Sequence, residues 1–276
     1  MRTRVTGSPP PQPMVSGRAL RKRISRYHIA EGDGPIDRIK IGCAFGTLKA
    51  AYWITALVQD RRKADLDFPS IVSNKYRFAF CGIPKVATKS IRAALLRSPE
   101  IAAFTVNRGA VALAAEGDPY RHHYRFSFVR NPWSRVVSCY RDKILIQRST
   151  VIGKIAIIAD HPGLSPSLPF DAFVEWLCSE EGSDRCADRH WMSQHKFLMD
   201  AAGSIVCDFV GRLENIETDF KTVCDAVCLP PIKLPHGNRS TDGQGPYGYR
   251  DIYNDRTRKL VGQRYERDVD AFKYVF

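Results

Sequence analysis

Residues 76–276 divide into short apolar runs and longer segments in which apolar residues recur every three or four positions. The short runs are rich in aromatic and β-branched residues and predict strands at 76–83, 124–129 and 205–210. The longer segments predict helices at 88–97, 132–147, 170–180, 188–199 and 215–228, and a last helix that ends near 272. Strands separated by helices predict an α/β fold with a parallel sheet, in which ligands bind beyond the carboxyl ends of the strands.

The first strand runs into a helix through a turn that contains Gly82 and Pro84. The helix has one apolar face, and its start collects the polar residues Lys85, Thr88, Lys89 and Ser90. Unpaired amides and the positive end of the helix dipole bind anions, and lysine and hydroxyl groups complete such a site. The segment departs from the P-loop pattern because Ala87 and Thr88 replace its second glycine and lysine. A basic helix cap without a ligand is therefore the alternative.

The second phosphate-binding candidate begins at Arg130, at the end of strand 124–129. Asn131 is a good N-cap and Pro132 a good first residue, so they predict a helix start. Along that helix, Val137, Tyr140 and Ile144 form the predicted buried stripe, and Arg135, Ser138 and Arg141 share another face. Arg130 and Ser138 would then hold one phosphate. The alternative is an arginine paired with a surface carboxylate and a serine that is only exposed.

These two segments together resemble the sulfotransferases, in particular the carbohydrate branch with the chondroitin, dermatan and HNK-1 enzymes. Residues 83–88 resemble its 5′-phosphosulfate loop, and residues 129–143 resemble its 3′-phosphate motif. Further motifs follow in the family's order: His190-Trp191 with Gln194, residues 208–220, Leu234-Pro235 with Asn238 and Ser240, and Tyr265, Asp268 and Phe272. One departure is that residues 196–202 lack the cysteine that animal Golgi members carry after the His-Trp motif.

The resemblance implies a P-loop-NTPase-like sheet flanked by helices and the cofactor 3′-phosphoadenosine-5′-phosphosulfate. By this likeness the 5′ end of the cofactor binds Pro84, Lys85, Val86, Ala87, Thr88, Lys89 and Ser90. The 3′-phosphate binds Arg130 and Ser138, and the polar loop 236–249 closes over the cofactor with Arg239 or Ser240. Lys85 stabilises charge on the leaving oxygen, and no metal is needed. The implied acceptor is a glycan or glycolipid.

The acceptor hydroxyl must lose a proton, which calls for a general base. The candidates are His122, His123 and His190, with His190 preferred because it lies in the His-Trp motif. Glu180 and Glu214 stay open as alternatives.

Two other functional classes share single features of this sequence. A P-loop-like nucleotide kinase would use the first anion site but would also need Mg²⁺ ligands. It would have no use for the second phosphate site at Arg130 and Ser138. A nucleic-acid-binding or polyanion-binding protein would use the basic amino-terminal residues, although no nucleic-acid module is recognisable. Selectivity for a 3′-phosphate separates the sulfotransferase hypothesis from the kinase hypothesis.

The 276 residues carry a net charge of +13, and the positive charge is concentrated at the amino-terminal end. Residues 1–30 contain seven lysines and arginines and no acid, so residues 1–35 are predicted to be a flexible, basic, proline-containing head. Residues 36–70 are predicted to form a helical extension, and 71–276 the catalytic domain. The head is either solvated or in contact with an acidic polymer or anionic membrane.

Residues 41–58 are the candidate membrane segment. Lys49 at its centre would cost roughly 2.5–3.5 kcal/mol on insertion, which favours a packed helix and a cytoplasmic protein over a single-pass anchor. The eight cysteines include no C-x-x-C pair and are interpreted as free thiols, with Cys224 on a buried helical stripe. A metal site of Cys186, His190 and His195 is disfavoured because it has only three ligands of mixed type.

Overall fold

The computed structural model describes residues 68–145, 158, 161–166, 168–232, 234 and 248–276. The basic head 1–35, the segment 41–58, and Arg239 and Ser240 lie outside the described residues, as does nearly all of the predicted extension 36–70. No helix among the described residues is long and apolar enough to cross a bilayer.

The centre of the fold is a five-stranded sheet in the order β3-β1-β2-β4-β5. Its strands are β1 (Ser70–Ser73), β2 (Phe78–Phe80), β3 (Ala103–Val106), β4 (Tyr124–Val129) and β5 (Phe209–Arg212). Strands β2, β4 and β5 are parallel, with Phe80 opposite Phe126 and Phe128 opposite Gly211. This half confirms the predicted α/β fold. Strand β1 pairs antiparallel with both β2 and β3, and neither β1 nor β3 was predicted.

Helices cover the sheet and connect its parallel strands. They are α1 (Thr88–Arg97), α2 (Ala110–Ala114), α3 (Pro132–Cys139), α4 (Phe170–Leu177), α5 (His195–Leu198), α6 (Ile216–Ala226), α7 (Asp255–Arg264) and α8 (Glu266–Phe272). Helix α3 continues into a π-helical turn, Tyr140–Ile144. Short 3₁₀ turns occupy Pro99–Ile101, Leu213–Asn215 and Arg250–Ile252.

The predicted apolar faces form the core of the fold. Ile91, Ala94 and Leu95 of α1 are buried, as is the stripe Val137, Tyr140 and Ile144 that follows β4. Four phenylalanines of β2 and β4 pack across the sheet with centroid distances of 5.3–6.4 Å: Phe78, Phe80, Phe126 and Phe128. Cys224 is buried on α6, as its stripe predicts.

The predicted helix 188–199 is wrong over most of its length, because only His195–Leu198 is helical. Carboxylates instead bind backbone N–H groups of this segment. Asp188 accepts the N–H of His190, and Asp184 accepts that of Ser193. The predicted strand 205–210 is displaced to Phe209–Arg212, and Ile205 instead forms an isolated bridge with Met199.

Candidate functional site

The loop between β2 and α1 forms a cradle of backbone amides at the carboxyl end of the sheet. Lys85 (φ 74°) and Ala87 (φ 57°) both adopt the left-handed conformation that non-glycine residues seldom occupy. Left-handed residues within a turn aim successive N–H groups inward, which forms an anion-binding nest. Strain of this kind, about 1–3 kcal/mol per residue, is concentrated at functional sites. The loop therefore has a backbone geometry that can bind an anion, although it lacks the P-loop glycines.

Two hydrogen bonds and one close approach of the backbone hold this loop in place. The Thr88 hydroxyl donates to the carbonyl oxygen of Ile83, which closes the loop on itself. Gly82 leaves no room for a side chain, since a Cβ there would lie 2.7 Å from the Thr88 methyl. Arg135 donates through Nε to the Pro84 carbonyl at 3.2 Å. Thr88 thus helps to set the shape of the loop.

Arg135 is buried, whereas Ser138 and Arg141, which were predicted to share a helix face with it, are half-buried. Besides Pro84, its guanidinium donates to the carbonyl oxygen of Met192 at 2.7 Å. It therefore joins the phosphate loop to the segment that carries His190.

The second segment places Arg130 between β4 and α3, beside the first loop. Asn131 caps α3 by accepting N–H bonds from Trp133 and Ser134, as predicted. Arg130 donates through Nε to the Ser134 hydroxyl at 2.9 Å and through Nη1 to the Lys85 carbonyl at 3.4 Å. Burial lowers the pKa of Arg130 to about 10, which the nearby Glu214 opposes. The two predicted phosphate-binding segments, the loop at Lys85 and the segment at Arg130, are therefore adjacent in space.

The guanidinium of Arg130 has no carboxylate within ion-pair distance in the described part of the chain. Glu214 lies near enough to oppose the fall in the pKa of Arg130 but forms no direct ion pair with it, so a further negative charge beside this desolvated guanidinium would be favourable. Ser138 lies one helical turn beyond Ser134, so both hydroxyls are on the side of α3 that begins at Arg130.

The main chain at Arg130 is fixed by residues far away in sequence. Gln194 accepts the Arg130 N–H through Oε1 at 2.9 Å and donates through Nε2 to its carbonyl at 2.8 Å. The fully buried Asp268 accepts the N–H groups of Gln194 and His195 and contacts His195 Nδ1 at 2.7 Å. Glu214 accepts the N–H of Asn131 at 2.7 Å. Glu214 thus supports the phosphate site, which differs from the general-base alternative.

Lys85 contacts a carboxylate supplied by the π-helical turn. Its Nζ lies 3.1 Å from Asp142 Oδ2, and Lys143 Nζ approaches the same oxygen at 3.2 Å. Burial lowers the pKa of Lys85, and Asp142 opposes this shift. Burial also opposes ionisation of Asp142, but the two lysines hold the pKa of that carboxyl at about 2. Lys85 and Asp142 therefore form an ion pair that joins the loop to the π-helical turn.

His190 forms a pair with Asp188, whose carboxylate contacts its Nδ1. This contact fixes the imidazole, and Nε2 is then the nitrogen that can accept a proton. Burial lowers the pKa of His190, and Asp188 opposes the shift. Lys143 and Arg189 are close enough to lower it further. The imidazole is thus neutral at neutral pH, in the same neighbourhood as the Lys85 and Asp142 pair.

His123 is not brought to this site. It precedes β4, whereas Arg130 follows it, so the length of the strand, roughly 20 Å, separates them. Its Nε2 lies 3.2 Å from Asn74 Oδ1 in the turn between β1 and β2. His123 therefore lies at the amino end of β4, whereas Arg130 lies at its carboxyl end. This position is incompatible with the general-base role predicted for His123. The adjacent His122 is exposed.

The remaining predicted residues differ in their surroundings. Val86 is buried in the core, Lys89 is exposed and Ser90 is half-buried near the start of α1. Glu180 is exposed and forms an ion pair with Arg185 rather than a contact with His190 or Asp188. His190 and His195, two members of the disfavoured metal site, contact different carboxylates. The described ranges contain no cluster of three or more histidine, cysteine, aspartate or glutamate side chains that could hold a metal ion.

Sequence reasoning missed Asp142, Ser134 and Asp188 as site residues. Asp188 carried a local signal, because an acid two residues before a histidine can reach its ring. Asp142 lay within the quoted 3′-phosphate motif, but its contact with Lys85 spans 57 positions and had no local signal.

This chain is similar in sequence to known proteins. Carbohydrate sulfotransferase 14 of Homo sapiens is 29% identical over 185 residues, which is 60% of this chain and 48% of that protein. The Mus musculus protein of the same name is 28% identical over the same shares. That of Danio rerio is 25% identical over 255 residues, or 82% of this chain and 68% of that protein. The chain spans about half the length of the human and mouse relatives, and no solved structure matches it.

The matched family covers residues 69–275, which includes every described strand and helix that carries the site. This chain belongs to the sulfotransferase family.

Proposed function

We propose that this protein transfers a sulfuryl group from 3′-phosphoadenosine-5′-phosphosulfate to a hydroxyl group of a glycan or glycolipid. The observation that carries the proposal is the pair of adjacent anion grips on one edge of the sheet. One is the strained amide cradle at Lys85 and Ala87, and the other is Arg130, whose guanidinium forms no direct ion pair in the described part of the chain although Glu214 lies nearby. A nucleotide with phosphates at both its 5′ and 3′ positions meets both requirements.

The residues present fit such a donor. The loop amides and Lys85 suit the 5′ end, and Arg130 with Ser134 and Ser138 suits the 3′-phosphate. Ser134 enters this set because its hydroxyl already contacts Arg130 Nε. When bound, the donor supplies the sulfuryl group and a nucleotide leaving group.

Lys85 has the central electrostatic role in this proposal. Negative charge grows on the leaving oxygen during sulfuryl transfer, and a cation held beside it stabilises that charge. The Lys85 ammonium is held by its contact with Asp142, and the left-handed backbone at Lys85 belongs to the amide cradle itself. Removal of one such electrostatic contact typically slows an enzyme by 10²–10³-fold.

His190 has the role of general base. Its neutral imidazole takes the proton of the acceptor hydroxyl at Nε2, while Asp188 keeps the ring oriented and stabilises the imidazolium. The carbohydrate acceptor is proposed from the name of the relatives, since no described pocket identifies a sugar.

A transfer assay tests this proposal. The full chain is incubated with sulfur-labelled donor and a panel of desulfated glycans and glycolipids, and labelled product is separated. We expect label on at least one acceptor, a loss of at least 10²-fold in Lys85→Ala and His190→Gln, and normal activity in Asp225→Asn. Asp225 is a fair control because its ion pair with Lys221 is exposed on α6. Label transfer that survives Lys85→Ala would contradict the proposed mechanism.

A further inference from the structure

The ion pair between Lys85 and Asp142 has a consequence for nucleotide binding. Asp142 lies in the π-helical turn Tyr140–Ile144, and such turns inside helices are frequent at functional sites. Its carboxylate oxygen is 3.1 Å from Lys85 Nζ, and its side chain is 44% exposed. An accessible carboxylate therefore occupies one side of the ammonium that the nucleotide needs.

A phosphate bound by Lys85 would come close to this carboxylate. Two oxygens that share one ammonium at hydrogen-bond distance lie about 5 Å apart, and two like charges at that distance repel. The ammonium gains less from the nucleotide because it must loosen its contact with Asp142. Lys143 offsets only part of this repulsion, since it contacts the same Asp142 oxygen at 3.2 Å.

Resting on the function proposed above, we propose that Asp142 is a positioning residue that competes with the bound nucleotide for Lys85 and speeds release of the bisphosphate product. After transfer the sulfuryl group has left, and the 5′-phosphate depends on Lys85 and the loop amides. The Lys85 ammonium then restores its full ion pair with Asp142, which weakens its contact with the 5′-phosphate. The carboxylate thus limits product affinity while it keeps Lys85 in place for the next donor.

Calorimetric binding of adenosine 3′,5′-bisphosphate tests this inference on the full chain without metal. Asp142→Asn is expected to bind roughly tenfold tighter than wild type, equal to ~1.4 kcal/mol. Stopped-flow measurement should locate the gain in a slower dissociation rate. Asp142→Glu, which keeps the charge, and Asp225→Asn, which removes a charge elsewhere, should each stay within twofold of wild type. A gain in affinity cannot result from lost structure.

The double variant Lys85→Met with Asp142→Asn separates the proposed route from direct repulsion. If Asp142 acts through Lys85, the substitution at 142 gives less than a twofold gain in the Lys85→Met background. An equal tenfold gain in that background, or unchanged or weaker binding by both Asp142→Asn and Asp142→Ser in the presence of Lys85, would overturn the inference. Failure of wild type to bind the bisphosphate would instead overturn the proposed function and this inference with it.

Discussion

Gln194 should be a main support of the phosphate site, although it has no predicted contact with a phosphate. Its side chain is fully buried and makes both hydrogen bonds of the Arg130 main chain, at 2.9 and 2.8 Å. Gln194→Leu keeps much of the volume but leaves one N–H and one carbonyl without partners. Each such group costs about 1–3 kcal/mol, so we expect a destabilisation of about 3 kcal/mol. That corresponds to a decrease in Tm of about 6–12 °C for a domain of this size.

Thermal and urea unfolding measure this effect, and Gln263→Leu is the matched control. Gln263 is exposed on α7, so the same substitution there should change stability by less than about 0.5 kcal/mol. If Gln194→Leu is no more destabilising than Gln263→Leu, the reasoning about the Arg130 main chain is refuted.

Gln194→Glu gives the same prediction a pH signature. An ionised glutamate places a carboxylate oxygen against the Arg130 carbonyl, which raises the pKa of the introduced carboxyl, whereas a protonated one can donate to that carbonyl. Because the folded pKa lies above the unfolded value, the stability deficit relative to wild type should shrink as pH falls from about 7 toward 4.3. A deficit that is constant over this range would show that the Nε2 contact is unimportant.

Three further predictions concern single residues of the site. Because burial lowers the pKa of His190, kcat/KM of the wild type should fall only below about pH 6.5 as the imidazole becomes protonated, and His190→Gln should lack this acidic limb; a limb that persists would assign the base elsewhere. Gly82→Ala should cost about 1–3 kcal/mol in urea unfolding, since its Cβ would lie 2.7 Å from the Thr88 methyl, and a stable variant would show that the loop can relax. Asn131→Ala should cost about 1–2 kcal/mol, because it removes the cap of α3, while Asn131→Asp should restore only part of that stability by the same assay, since it keeps the cap but loses the Nδ2 donation to the Val275 carbonyl.

The local features of the site were predictable because they depend on neighbouring residues. The N-cap at Asn131, the start of α3 at Pro132 and the buried stripes are each set within a few positions. The parallel strands also followed from alternating strand and helix patterns. The proximity of Lys85 and Arg130 followed in part, because parallel strands bring their carboxyl ends to one edge.

The antiparallel strands were missed because their apolar pattern is short and flanked by polar residues. Strand β1 has only four residues, and it begins and ends with buried serines. Their hydroxyls donate to distant carbonyls, Ser70 to Arg108 at 2.7 Å and Ser73 to Ile101 at 2.6 Å. Both hydroxyls donate to carbonyls that are distant in sequence, so the polar ends of this short strand have the sequence pattern of a loop.

The segment 188–199 was assigned wrongly for a related reason. Its apolar spacing fits a helix, but the side chains of Asp184, Asp188 and Asp268 take the backbone N–H groups of this segment. Asp268 lies 74 residues from Gln194 in sequence, so periodicity could not indicate this competition. A separation of 64 residues likewise hid the contact between Gln194 and Arg130.

The central claim is a single site with two anion grips, and selective nucleotide binding tests it most directly. Calorimetry would compare adenosine 3′,5′-bisphosphate, adenosine 5′-phosphate and ATP, with and without Mg²⁺, on wild type and Arg130→Ala. We predict metal-independent binding in which the 3′-phosphate adds at least tenfold to affinity, an increment that Arg130→Ala abolishes. Equal affinity for adenosine 3′,5′-bisphosphate and adenosine 5′-phosphate would contradict the account. ATP binding that requires Mg²⁺ would also contradict it and would favour a nucleotide kinase.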